Sequence, residues 1–253
     1  MNAGPALPSG YVLRTFDRVE STNDEARRLA DQGAEAGTVV VATQQVKGRG
    51  RHGRVWESPP GNLYASLLLR PDCTIATSAQ LSLVASLALA EALVALAPPE
   101  VDVRLKWPND VLVRGAKVAG LLLESAAGAN ERAAWVVVGS GVNIDSAPAG
   151  TPYPATALRY EGFPPLAPLA LLARYLGALD RWLARWREGG FAAVRPAWLA
   201  LGCGIGDQIR LRLPGEELAG RFLDVTEQGA LVVGQDGDRR RQIAAGELIF
   251  PAG

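Results

Sequence analysis

Residues 45–56 read Gln-Val-Lys-Gly-Arg-Gly-Arg-His-Gly-Arg-Val-Trp, so Lys47, Arg49, Arg51 and Arg54 are interleaved with three glycines. Glycine frees the backbone for tight turns, and so many cations on one short loop call for an anionic ligand. Lys106 and Lys117 add charge in two later stretches. Of 26 cationic residues only Lys47, Lys106 and Lys117 are lysine. Where lysine persists in an arginine-rich chain, a compact ammonium is needed in place of a guanidinium fork. Ser21, Thr22, Asn23 and Gln45 form a second set, of neutral donors and acceptors. Together the two sets suit a ligand with an uncharged polar head and a carboxylate placed beside a polyphosphate. A carboxylate attacking an α-phosphate meets charge repulsion, and fixed donors aimed at that charge contribute roughly 3–4 kcal/mol each. The attacking group is already ionised, so no general base is required. The product of such a step is an acyl-adenylate.

Other chemistries fit less well. The loop spells the Gly-x-Gly-x-x-Gly dinucleotide fingerprint, which needs a strand before it and a helix opening at its end. The strand is present at 38–42, but Val-Trp-Glu-Ser-Pro-Pro-Gly follows at 55–61 and cannot be a helix. With one histidine and two cysteines, a four-ligand zinc site is not expected. His52 is the sole candidate for a Ser-His-Asp triad and sits inside the glycine loop, where it reads as solvated. Formal net charge is zero, so no overall field recruits nucleic acid or an anionic membrane. Cys73 and Cys203 lie far apart, which fits a reducing, cytoplasmic setting. No signal peptide is expected at residues 1–10. The apolar run at 79–97 carries Ser82, Ser86 and Glu91 and reads as a buried helix, not a membrane span.

The positioning elements follow from periodicity. Strands are expected at 11–19, 38–43, 62–69, 101–106, 111–113, 117–124 and 135–138. A helix follows Ser21, read as an N-cap in a capping box with Asp24, and ends at Gly33. Further helices are expected at 78–97, 169–186 and 191–201. Gly139 and Gly141 are expected at the end of the 135–138 strand, where they let backbone approach a ligand. Residues 145–154 have no periodicity and read as a long loop. From residue 207 the pattern changes to five short strands with turns at 214–215, 228–229 and 236–237, which suggests a small barrel. The division expected is therefore residues 1–201 and residues 202–253.

Six motifs in order carry a resemblance. Ser21-Thr22-Asn23, Gln45 with the Gly-Arg-Gly-Arg loop through Trp56, Asn62-Leu63-Tyr64, Lys106-Trp107-Pro108-Asn109-Asp110, Lys117-x-x-Gly120 with Glu124, and Gly139-x-Gly141-x-Asn143 together resemble the biotin protein ligases. The resemblance spans most of 20–158. It implies an α+β fold: a mixed-sheet catalytic domain like that of class II aminoacyl-tRNA synthetases, followed by an SH3-like barrel. It also implies biotin and MgATP as substrates, biotinoyl-5′-AMP as intermediate, and a lysine of a biotin carboxyl carrier protein as acceptor. By that pattern Ser21, Thr22, Asn23 and Gln45 bind biotin. Arg49, Gly50 and Arg51 cover biotin and its activated carboxylate, and Lys106 bridges carboxylate and phosphate. Lys106 and Arg51 are thus the catalytic pair, Arg54 and Lys117 face phosphates, Asn143 the adenine, and Asp110 the Mg2+. A homodimer is compatible with the family; a membrane partner is not expected. Only 20 residues precede Ser21, so the N-terminal DNA-binding helices of repressor members are not expected. Val46-Lys47 replaces the family's small or polar pair, and the sole methionine is Met1, so the methionine-flanked acceptor lysine must lie on another protein.

Three alternatives make different predictions. A dehydrogenase needs a helix after Gly53. A nucleic-acid-binding module gripping phosphates through the Gly-Arg loop needs strongly salt-dependent affinity. A lipoate–protein ligase needs a longer apolar channel. If Lys106 must be a compact ammonium, Lys106→Arg should fold normally yet lose adenylate synthesis, measured as pyrophosphate release. Near-normal release would refute it.

Overall fold

The computed structural model describes residues 6–235 and 239–250. A seven-stranded mixed sheet has the order β1-β2-β3-β7-β6-β5-β4. Its strands are β1 (Val12–Val19), β2 (Thr38–Gln45), β3 (Leu63–Leu69), β4 (Val103–Lys106), β5 (Asp110–Val113), β6 (Ala116–Ala127) and β7 (Ala133–Val142). Only β1 and β2 pair in parallel; the other pairs are antiparallel.

Alternation along the central strands assigns the two faces. Val39, Val41, Leu67, Leu69, Val136 and Val138 enter the main core with helices α3 (Leu81–Val94) and α4 (Pro168–Gly189). Val40, Leu68, Trp135 and Val137 point the other way, against Ala26 and Ala30 of helix α1 (Thr22–Asp31). Successive strand side chains face opposite sides, so β2, β3 and β7, covered on both faces, are apolar nearly throughout. The stripe of α4, from Leu172 through Tyr175, Leu176, Leu179, Trp182, Leu183 and Trp186, is buried as its helical spacing predicts. Residues 75–94 are long and apolar enough to cross a bilayer, yet they lie mostly buried within the fold.

Several expectations need correction. The helix foreseen at 78–97 starts earlier: Thr74 caps the short helix α2 (Ile75–Ser78), and α3 follows. Helix α5 (Arg195–Leu201) begins after a 3-10 turn at Phe191–Ala193. Ser21 stands at the N-cap of α1, but its side chain makes no capping hydrogen bond, and Asp24 pairs with Arg49 instead. One expectation holds: as the proline pair at 59–60 predicts, no helix follows Gly53, and residues 54–62 are extended or turn. Strand β7 runs on to Val142, so Gly139 and Gly141 lie within it, paired with strands on both sides. They occupy the α1 face, after Trp135 and Val137. A Cβ at Gly139 would overlap Asn23, and one at Gly141 would overlap the Trp56 indole. Their glycines admit side chains of the protein itself.

From Gln208 onward five strands form an antiparallel sheet of order β11-β10-β9-β8-β12. These are β8 (Gln208–Leu213), β9 (Glu216–Val225), β10 (Leu231–Gly234), β11 (Arg240–Ile243) and β12 (Glu247–Ile249). The expected turn at 236–237 lies outside the described residues. This β unit docks through specific bonds: Trp107 Nε1 donates to Gly229 O at 3.1 Å, and Arg195 pairs with Asp224.

The glycine packing predicts a stability difference. Gly139→Ala should destabilise by about 1–3 kcal/mol through overpacking against Asn23. Gly177→Ala, in α4 where a Cβ meets nothing closer than Pro8 at 4.0 Å, should stabilise by about 0.5–1 kcal/mol. Chemical denaturation of both variants measures this.

Candidate active site

Register gathers the site at one end of the large sheet. Lys106 pairs with Asp110, Asp110 with Gly120, and Leu63 with Val142, which precedes Asn143. Ser21 follows the end of β1, and Gln45 ends β2 beside Val19. The loop after β2 folds across this end, closed by a bridge between Arg49 and Val55. One cavity results. Its lining includes Ser21, Thr22, Asn23, Gln45, Arg49, Gly50, Arg51, Arg54, Lys106, Asp110, Lys117 and Asn143. The residues assigned to biotin, nucleotide and metal from the sequence therefore border the same space, whereas Lys47 lies outside it, paired with Glu20 at the surface. His52 stands exposed at its rim.

The neutral end is a hydrogen-bonded wall. Gln45 Oε1 accepts from the Thr22 backbone N–H at 2.8 Å and lies 3.1 Å from Thr22 Oγ1. Gln45 Nε2 donates to Ser58 Oγ at 3.0 Å. Asn23 Nδ2 donates to Glu124 Oε2 at 2.8 Å and to Leu122 O at 3.2 Å. Asn23 thus borders the cavity with both amide protons committed to the wall. Near the other side, Asn62 Oδ1 accepts from the backbone of Ile144, Asp145 and Ser146, and Asn143 Nδ2 donates to Thr156 O at 3.0 Å. Asn62 so fixes the chain as it leaves β7.

The cations divide into two groups. Arg49 forks onto Asp24 at 2.7 and 2.8 Å and also approaches Glu124, which anchors the loop to α1. Arg54 forks onto Glu247, with the first bond at 2.6 Å, and holds that carboxyl below the usual carboxylate range. Lys117 Nζ lies 2.6 Å from Asp110 Oδ1. Arg51 and Lys106 are different: among the described residues neither has a carboxylate within ion-pair distance. Arg51 donates to Gly246 O at 3.0 Å and to Asn109 Oδ1 at 3.3 Å. Lys106 is only 6% exposed, and its Nζ sits 3.7 Å from the centroid of the Tyr153 ring. Burial pulls both groups below their usual basicity. Buried cations without acid partners are costly, so a bound anion is what this end of the cavity lacks.

Several lining residues escaped the sequence reading. Tyr153 lies in the loop after β7, and burial keeps its phenol neutral, its pKa pushed up to about 12. Glu247 and Leu248 reach the cavity from the small β sheet, and Gly246 and Glu247 lie nearly 200 residues from the arginines that they bond, Arg51 and Arg54. No local pattern marks them. Trp56, which closes the Gly-Arg loop, packs over Gly141 and Gly120, and its indole N–H has no partner among the described residues. Among the described residues no three acidic, histidine or cysteine side chains cluster as a metal site.

A seven-stranded mixed sheet with a polar wall and an anion-seeking end, capped by a small β unit, defines a class of acyl-activating ligases. The Biotin/lipoate A/B protein ligase family matches residues 15–143, and the biotin protein ligase C-terminal domain matches residues 204–250. The chain is 41% identical over 239 residues to the biotin–[acetyl-CoA-carboxylase] ligase of Paracoccus denitrificans, covering 92% of this chain and 98% of that one. It is 33% identical to the Mycobacterium tuberculosis protein of the same name, covering 96% and 91%. The structure of the Aquifex aeolicus biotin protein ligase in complex with biotin and ATP superposes with a TM-score of 0.78 at 29% identity, covering 94% and 97%. The chain belongs to the biotin protein ligase family.

The state of Lys106 sets a pH dependence. Its ammonium is the form that meets an anion, and burial lowers its pKa from 10.5. Pyrophosphate release should therefore decline on the alkaline side before an ordinary lysine titrates. Stability should move the opposite way. The unfolded chain holds this proton more tightly than the folded one, so Lys106 penalises folding less as pH rises through its lowered pKa. Comparing pH profiles of activity and of unfolding free energy for wild type and Lys106→Met tests both signs.

Proposed function

We propose that the chain is an ATP-dependent biotin protein ligase. Biotin's carboxylate attacks the α-phosphate of ATP, a C–O–P linkage forms, and pyrophosphate leaves. A lysine amine of a biotin carboxyl carrier protein then attacks the acyl carbonyl of biotinoyl-5′-AMP. The amide bond forms, the acyl–phosphate oxygen bond breaks, and AMP departs as the nitrogen loses its proton. The observation that carries this reading is the pair of buried Lys106 and half-buried Arg51, cations without acid partners among the described residues, facing a neutral polar wall across one cavity.

Residue roles follow from placement. Ser21, Thr22 and Gln45 receive the ureido head of biotin, with Asn23 holding that set from behind. Arg49 and Gly50 keep the loop over the vitamin. Lys106 and Arg51 neutralise the carboxylate and the α-phosphate as they approach, at an interior site where such donors act most strongly. Arg54 and Lys117 meet the outer phosphates by exchanging their carboxylate partners for them, and Asn143 meets the adenine. Magnesium arrives on the nucleotide. Mg2+ is usually held by one or two carboxylates plus substrate phosphates, and the single carboxylate of Asp110 fits that need; its Oδ1 lacks a well-aligned hydrogen bond. Residues 1–201 form the catalytic unit and residues 202–253 the β unit. Two free cysteines suit the cytoplasm.

Pyrophosphate release from ATP tests the reading. It should require biotin and stay at background with lipoate. Equal release with either acid, or none with biotin, would overturn it.

A further inference from the structure

Strand β3 reads Leu-Tyr-Ala-Ser-Leu-Leu-Leu and is buried at every position. Its one serine, Ser66, is fully buried behind the neutral wall of the cavity. Ser66 Oγ lies 2.6 Å from Asn23 Oδ1 and 2.8 Å from Thr22 Oγ1. Proton bookkeeping then fixes directions. Asn23 Nδ2 donates to Glu124 and Leu122 O, so the amide cannot be flipped and Oδ1 can only accept. The single proton of Ser66 therefore goes to Asn23, and Ser66 Oγ is left as an acceptor for the Thr22 hydroxyl. A second wall acceptor, Gln45 Oε1, lies on Thr22 as well. The Thr22 proton is drawn into the wall, and its oxygen offers only lone pairs to the cavity.

We infer that Ser66 is a positioning residue for substrate choice: through its paired bonds to Asn23 and Thr22 it fixes the Thr22 hydroxyl as an acceptor, so this point of the cavity selects a ligand N–H. The inference rests on the biotin reading. A ureido ring supplies such a donor, whereas the dithiolane ring of lipoate supplies none. Ser66 touches no substrate, since it lies behind Thr22 and does not line the cavity.

The test is a two-by-two set of wild type, Ser66→Ala, Thr22→Val and the double variant, read by pyrophosphate release. Ser66→Ala should raise the KM for biotin about tenfold, the size of one lost hydrogen bond. The KM for ATP, and kcat at saturating biotin, should stay within about twofold, the limit of independent sites. In the Thr22→Val background the same substitution should add less than about twofold to the biotin KM, because no hydroxyl remains to be oriented. A thermal scan confirms folding; if Ser66→Ala is too unstable, Ser66→Cys, which keeps the volume with a weak donor, takes its place in the set. An unchanged biotin KM in the single variant overturns the inference, as does an equal increment in both backgrounds. Wild type that releases no pyrophosphate with biotin overturns the functional reading, and this inference with it.

Discussion

Two positive charges, Lys106 fully and Arg51 partly withdrawn from water, have no negative partner among the described residues, and much of the molecule exists to make that tolerable. Lys106 rests on the face of Tyr153, and Arg51 on a main-chain carbonyl and an amide oxygen. Dipoles and a π face soften the penalty of burial without cancelling the charge. A carboxylate placed beside either one would stabilise the empty protein and remove the incentive to bind an anion. The acids nearby are spent elsewhere, Asp24 on Arg49, Glu247 on Arg54 and Asp110 on Lys117. The pairing pattern thus separates cations that hold the loop in place from cations that face the reaction.

The neutral half of the cavity is built on the opposite principle. There nearly every polar atom is satisfied before a ligand arrives, through the chain of Ser58, Gln45, Thr22, Ser66, Asn23 and Glu124. A wall with fixed donors and acceptors presents a fixed pattern. Buried networks of this sort are rigid because each broken bond leaves an unpaired group. One end of the cavity therefore offers shape and pattern, and the other offers charge.

Much of this was legible in the sequence, for physical reasons. Helical periods and continuous apolar runs located most elements, because the central strands are covered on both faces and are apolar nearly throughout. The polar triplet Ser21-Thr22-Asn23 stood out because capping explained one residue and left two over. Even there the local reading misled: the structure spends Asp24 on Arg49, so a long-range ion pair overrides a short-range cap. The two glycines of β7 were seen as room for a ligand, whereas they make room for Asn23 and Trp56. A glycine reveals that something comes close and not what it is. Ser66 was hidden as one hydroxyl in an apolar run, and Glu247 was hidden by distance along the chain. Neither has a signal that composition or spacing can carry.

The strap at Gly246-Glu247 ties the two sheets together at the cavity. It supplies a main-chain oxygen to Arg51 and a carboxylate to Arg54, so the smaller sheet completes the lining of a cavity whose other walls belong to the larger one. Neither unit can then be exchanged for a relative's without its counterpart at this seam. A graft that kept both folds intact but mismatched the strap and the loop would yield a well-folded hybrid with its arginines pointing astray. Heredity acts on the two units as on a lock and its striker plate, which wear in together.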